Sequence, residues 1–120
     1  MDELPGSGDL DVDAFVDSNL RSFAAWDVVV YLEHNFGVSA DVSDLSGRLG
    51  RKEFEIEGVL GDLVANKVAT TSSEPDGQVR YTLTSDPRMR TVVSRFVDLT
   101  KTREIRLEFV RRVLSQMSRG

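Results

Sequence analysis

The sequence predicts a mainly α-helical chain with one small β hairpin and a helical C-terminal extension. Three observations predict it. Apolar residues recur at three- and four-residue spacing through most of the chain. A turn signal, Glu74-Pro75-Asp76-Gly77, separates a β-branched run from a run that alternates with period two. After Pro87 the helical spacing returns and persists almost to the end. A length of 120 residues suits a single domain.

The composition bounds the possible chemistry. Hydrophobic residues make up 40% and charged residues 29%, an ordinary globular balance. The absence of cysteine excludes disulfides and thiolate metal sites and fits a reducing compartment. The start, Met1-Asp2-Glu3-Leu4-Pro5-Gly6, lacks the basic opening and apolar run of a secretory signal. The longest aliphatic run, Val28-Val29-Val30, is far too short for a membrane span. The expectation is a cytoplasmic protein with no membrane partner. Charge is divided unevenly: residues 1–62 carry a net −10 and residues 63–120 a net +5. Such a split points either to a charged partner or to one half packing on the other.

The elements follow in order. Residues 1–9, with Pro5, Gly6, Ser7 and Gly8, offer little to bury and read as disordered. Asp9, Asp11 and Asp13 resemble the opening of a calcium loop, but Ala14 stands where a tight turn needs Gly and Leu20 where a bidentate Glu is needed. They fit better at the start of a short helix, where acids complement the helix dipole. A helix from about Leu20 to Phe36 follows from Phe23, Trp26, Val29, Val30, Leu32 and Phe36, with Gly37 as terminator. Val38-Ser39-Ala40 reads as a strand stub. Asp41 can cap the next helix, whose stripe is Val42, Leu45 and Leu49, and Gly50 ends it. A further helix carries Ile56, Val59, Leu60, Leu63 and Val64, with Phe54 at its flank. Gly58 and Gly61 are expected to permit close helix packing there. Two short helices joined by a tight Gly turn make a helix-turn-helix pattern. Val68 to Ser73 and Gln78 to Thr84 form the hairpin, with Val79, Tyr81 and Leu83 on one face. Asp86-Pro87 starts a helix bearing Met89, Val92, Val93, Phe96 and Leu99. Thr100-Lys101-Thr102 weakens the pattern, so a break is expected before Leu107, Val110, Leu114 and Met117. Phe109 and Val113 widen this last stripe.

That order resembles the winged helix-turn-helix over about Leu20 to Thr84. Val42-Ser43-Asp44-Leu45-Ser46-Gly47-Arg48-Leu49-Gly50 is similar to the second-helix phrase of MarR-, ArsR- and PadR-like transcriptional regulators. Ile56-Glu57-Gly58-Val59-Leu60-Gly61-Asp62-Leu63 resembles their third-helix phrase, and Tyr81-Thr82-Leu83-Thr84 the end of their second wing strand. The resemblance implies a winged-helix domain over residues 10–86, with residues 87–120 as a dimerising or packing extension. It also implies duplex DNA as partner, a role in transcription regulation and a homodimer.

In that family the third helix enters the major groove by its early outward residues. Here those are Arg51, Lys52, Glu53, Glu55 and Glu57. Arg48, Arg51, Lys52, Lys67 and Arg80 are the candidate phosphate contacts, because DNA affinity comes largely from Lys and Arg on phosphates. Glu53, Glu55 and Glu57 oppose them, as do Glu74 and Asp76 at the hairpin tip. The alternative is a winged-helix module that binds protein, not DNA, through those same Glu residues. Leu107, Val110, Leu114 and Met117 are the candidate dimer interface. The remaining basic residues, among them Arg95, Arg103, Arg106, Arg111, Arg112 and Arg119, crowd the C-terminal segment. They could grip an acidic partner, nucleic acid or the chain's own acidic half, and, interleaved with apolar residues, they also read as the polar face of a dimerising helix.

An enzyme is not expected. His34 is the one histidine, with no nucleophile in any recognisable relation to it. A zinc site needs three or four His or Cys ligands. Gly47, Gly50, Gly58 and Gly61 fall in or beside helices and form no phosphate loop. No cofactor is expected.

Overall fold

The computed structural model describes residues 9–118. The disorder expected for residues 1–9 therefore lies outside the described residues, except at Asp9, and Arg119 also lies outside them. Among the described residues the chain is mainly helical with a two-stranded antiparallel hairpin. In chain order the elements are α1 (Leu10–Asn19), α2 (Phe23–His34), α3 (Val42–Leu49), α4 (Glu53–Ala65), β1 (Ala69–Ser73), β2 (Val79–Leu83), α5 (Pro87–Leu99) and α6 (Arg103–Ser118).

Short polar side chains set most of the helix starts. Asp9 accepts from the Val12 amide at 3.2 Å and Ser22 from the Ala25 amide at 3.1 Å. Asp41 accepts from the Asp44 amide at 2.7 Å while the Asp44 carboxylate takes the Asp41 amide, a reciprocal capping box. Asp86 caps α5, with Pro87 in the first helical position. The helix expected from Leu20 to Phe36 is shorter than that. Leu20 closes α1, Ser22 opens α2, and α2 ends at His34. The cap at Ser22 overrides the apolar spacing that runs through it. Gly50 ends α3 with φ +65°, a left-handed conformation in which glycine avoids the Cβ penalty. The chain breaks at Thr100–Thr102, between α5 and α6.

The hairpin pairs Ala69 with Leu83 and Ser73 with Val79, and Gly77 turns it at φ +86°. Ala40 bridges Tyr81 through two backbone hydrogen bonds of 2.9 and 2.8 Å, adding a one-residue third strand. This bridge fastens the α2–α3 connection to β2.

One continuous core joins all the helices and the hairpin. Its first part lies beneath the α3–α4 pair, where Val28, Leu32, Leu45, Ile56, Leu60, Leu63 and Leu83 are buried. Its second part is an aromatic joint. Phe96 lies 5.2 Å from Phe109, 5.4 Å from Trp26 and 5.9 Å from Phe15, centroid to centroid. Tilted and edge-on rings at these distances add to the gain from burial alone. Helix α6 therefore docks by Phe109 and Val113, both fully buried, onto α1 and the aromatic joint. Charge reinforces that seam. Arg112 on α6 reaches Asp17 at 2.6 Å and Asp13 at 3.8 Å on α1, and Arg95 on α5 pairs with Asp9.

The packing role expected of Gly58 and Gly61 is not what they do. A Cβ added at either would meet nothing within 4 Å, because both lie on the outer face of α4. No described helix is long and apolar enough to cross a membrane.

Candidate functional site

The α3–α4 turn, the outer face of α4 and the hairpin gather most of the charged residues singled out in the sequence. Between Asp41 and Thr84 eight carboxylates stand against five cations. How those five cations are held decides what the surface can grip.

Arg51 sits in the turn after Gly50. Its Nε and one terminal nitrogen lie 3.0 and 2.9 Å from a single Asp27 oxygen on α2, and its other terminal nitrogen lies 3.6 Å from Glu55. The Arg51 carbonyl accepts the Ser46 hydroxyl, which ties the turn back to α3. Arg80 on β2 is similarly engaged. It donates to the Ser39 carbonyl at 3.5 Å and lies 3.8 Å from both Asp44 and Glu74. These two guanidinium groups fasten α4 to α2 and β2 to α3, so both are half-buried braces rather than outward probes. Arg48, Lys52 and Lys67 are exposed and have no ion partner among the described residues. Lys52 occupies the N-cap of α4 without a side-chain cap bond. Lys67 takes φ +63° at the turn into β1.

The first turns of α4 present Glu53, Phe54 and Glu57 to solvent, with Glu55 half-buried beside Arg51. Phe54 is 74% exposed, the most exposed aromatic ring among the described residues. Beyond it the same face carries Gly58, Gly61 and Ala65, which add almost no relief. The early turns of α4 thus offer one bare ring between Glu53 and Glu57, with Arg21 lining the shallow groove beside it.

Compared with protein-family models, curated proteins and solved structures, the chain gives no match. What the surface does must be read from its own side chains.

The remaining sequence-predicted residues lie elsewhere. On α6, Leu107, Leu114 and Met117 are exposed and Val110 is half-buried. They share a helix with the docking residues Phe109 and Val113 but occupy its other face. A groove of about 740 Å³ lies between α1 and α5, lined in part by Ala14, Phe15, Met89, Val92, Arg88 and Arg95. It is open to solvent and contains none of the sequence-predicted site residues. Two features had no counterpart in the sequence reading: the bracing of Arg51 by Asp27 and the exposure of Phe54. The first joins residues 24 apart in the chain. The second carried a signal, since Phe54 falls out of phase with the Ile56–Leu60–Leu63 stripe.

Proposed function

We propose that residues 10–86 form a winged-helix unit that serves as a protein-interaction module, with the outer face of α4 as the contact. The element order supports the winged-helix reading: α3 and α4 joined by a Gly turn, then a hairpin, with Ala40 as a third strand. The observation that carries the functional reading is the commitment of Arg51 and Arg80 to intramolecular carboxylates, beside an α4 face that exposes Phe54 between Glu53 and Glu57. A phosphate backbone must be met by cations free to displace counterions. An exposed aromatic ring with a charged rim is instead the composition of a protein contact, where aromatic anchors dominate the energy.

A second reading, duplex DNA binding in transcription regulation, draws on exposed Arg48 and Lys52 around the α3–α4 turn and on exposed Lys67 at the turn into β1. One titration separates the two. Random-sequence duplex is titrated at low salt with the wild-type chain and with an Arg51→Ala, Lys52→Ala double variant. The protein-binding reading expects no shift from either at tens of micromolar. A strong, salt-sensitive shift that the double variant abolishes would overturn it in favour of DNA.

A further inference from the structure

The unpartnered faces of α4 and α6 complement each other. On α6, Leu107, Val110, Leu114 and Met117 recur at three, four and three residues, with Leu107 42% and Leu114 and Met117 each 48% exposed. Arg106 and Arg111, both exposed, flank this stripe on its two sides, and exposed Arg103 extends it at the N-terminal end. On α4, Phe54, Gly58, Gly61 and Ala65 recur at four, three and four residues, all exposed. Glu57 and Asp62, also exposed, flank that stripe on its two sides. At 1.5 Å per residue each stripe is about 15 Å long.

We propose that the α6 stripe of one molecule docks on the α4 face of a second copy of this chain. This rests on the reading that α4 faces a protein, and it names that protein. Charge selects the pairing. Two α6 stripes brought together would oppose Arg106 and Arg111 to the same residues of the other copy, and two α4 faces would oppose carboxylates. Only α6 against α4 sets Arg106 and Arg111 against Glu57 and Asp62. Shape agrees with charge. The α6 stripe projects bulky side chains, whereas α4 beyond Phe54 projects only the hydrogens of Gly58 and Gly61 and the methyl of Ala65. Leu114 and Met117 can therefore settle close to the α4 backbone, while Phe54 packs at the far end of the α6 stripe. The open space within 4 Å of a Cβ placed at Gly58 or Gly61 leaves room for a second copy to approach. Arg111 gives up little to join this contact, since its present partner Glu108 is an exchangeable neighbour one turn away on α6. Each molecule carries both halves, so two copies can also exchange them reciprocally about a two-fold axis. Where the exchange is not reciprocal, the contact closes a larger ring of copies or propagates as a chain.

The test is sedimentation of the full chain over a concentration series at low and high salt, with Phe54→Asp and Leu114→Asp variants alone and mixed. Both positions are exposed, and circular dichroism melts matching wild type establish that the variants fold. The expected result is reversible association of wild type that weakens as salt rises. Each variant alone associates at least about tenfold more weakly. The equimolar mixture recovers a one-to-one complex, because the α6 stripe of Phe54→Asp meets the α4 face of Leu114→Asp. If either variant fails to fold, charge reversal replaces it: Glu57→Lys with Asp62→Lys, and Arg106→Glu with Arg111→Glu, each weakening association alone and recovering it when mixed. Wild type monomeric throughout, or a mixture that recovers nothing, overturns the proposal. So does Phe54→Asp associating like wild type, which would indicate α6 pairing with α6. None of these outcomes bears on whether α4 binds another protein or DNA, which the duplex titration decides.

Discussion

Arg112 and Arg51 each stand between two carboxylates, yet they belong to regions built for different ends. Arg112 is 11% exposed, lies between Asp13 and Asp17 of α1, and is backed by the Trp26–Phe96–Phe109 joint. Arg51 is 27% exposed, lies between Asp27 and Glu55, and borders a surface that stays open. The α1–α6 seam spends its charges inside the molecule. The α3–α4 face keeps Glu53, Glu57, Arg48 and Lys52 outward. The difference resolves part of the charge asymmetry of the chain. Some of the acidic excess in the first half and the basic excess in the second cancels across the seam, through Asp9, Asp13, Asp17, Arg95 and Arg112. That part asks for no external partner. What is left over, on α4 and along the outer face of α6, is exposed.

The largest expected effect tests the seam at its apolar centre. Phe109→Ala empties a fully buried site that contacts Phe96 and Trp26, and should cost about 3–5 kcal/mol in urea unfolding. Phe54→Ala removes the same ring from an exposed site and should change stability by less than about 0.5 kcal/mol. Similar costs at the two positions would show that the two regions do not differ in packing.

The next effect tests the seam through its charges. Arg112→Ala removes the cation between Asp13 and Asp17 in a confined site and should cost about 2 kcal/mol. This is less than the loss at a fully buried pair, because Asp17 is partly hydrated. Arg112 Nε and Asp17 Oδ1 have no hydrogen-bond partner among the described residues, so the pair is not optimal as it stands. An Arg112→Leu, Asp17→Leu double variant should therefore recover most of the loss. Failure to recover would mean that the ion pair itself, not its desolvation balance, holds α6 in place.

Local chemistry made much of this fold legible in the sequence. Asp41, Asp44 and Gly50 bracket α3, Pro75-Asp76-Gly77 turns the hairpin, and the Thr100–Thr102 break is where the apolar spacing falters. Each acts within a few residues of where it is written. The start of α2 was also written, in Ser22 ahead of Phe23, but the apolar period continued through it and masked it. Which face of α6 turns inward was not legible. Ile105, Leu107, Phe109, Val110, Val113, Leu114 and Met117 cover too wide an arc, and only the position of Phe96 and Trp26 selects Phe109 and Val113. The site suffered likewise. The types of Arg51 and Arg80 are visible in the sequence, but Asp27 and Asp44 as their partners arise from tertiary packing.

A smaller effect probes the outer face of α4. Gly61→Ala adds a methyl into open space at a helical position, so it should stabilise the monomer by up to about 1 kcal/mol. If α6 of a second copy approaches that backbone closely, the same methyl weakens self-association while it raises the melting temperature. Opposite signs in the two measurements from one substitution would be hard to obtain from any surface that stays bare.

The smallest effect separates a brace from a probe. Arg51→Ala breaks an ion pair between partly exposed groups, so the loss should be about 0.5–1 kcal/mol. That figure alone says little, since truncation also removes the packing of the arginine stem. A double-mutant cycle with Asp27→Ala isolates the pair. A coupling energy near the full loss means that Arg51 is spent on holding α4 to α2, and any ligand wanting it must first pay that coupling. A coupling near zero means that the guanidinium is free to turn outward, and the count of cations available to a phosphate backbone rises by one. The same arginine in the duplex titration must then agree. A freely turning Arg51 steepens the salt dependence of any DNA binding by about one unit, whereas a braced Arg51 contributes nothing to the slope.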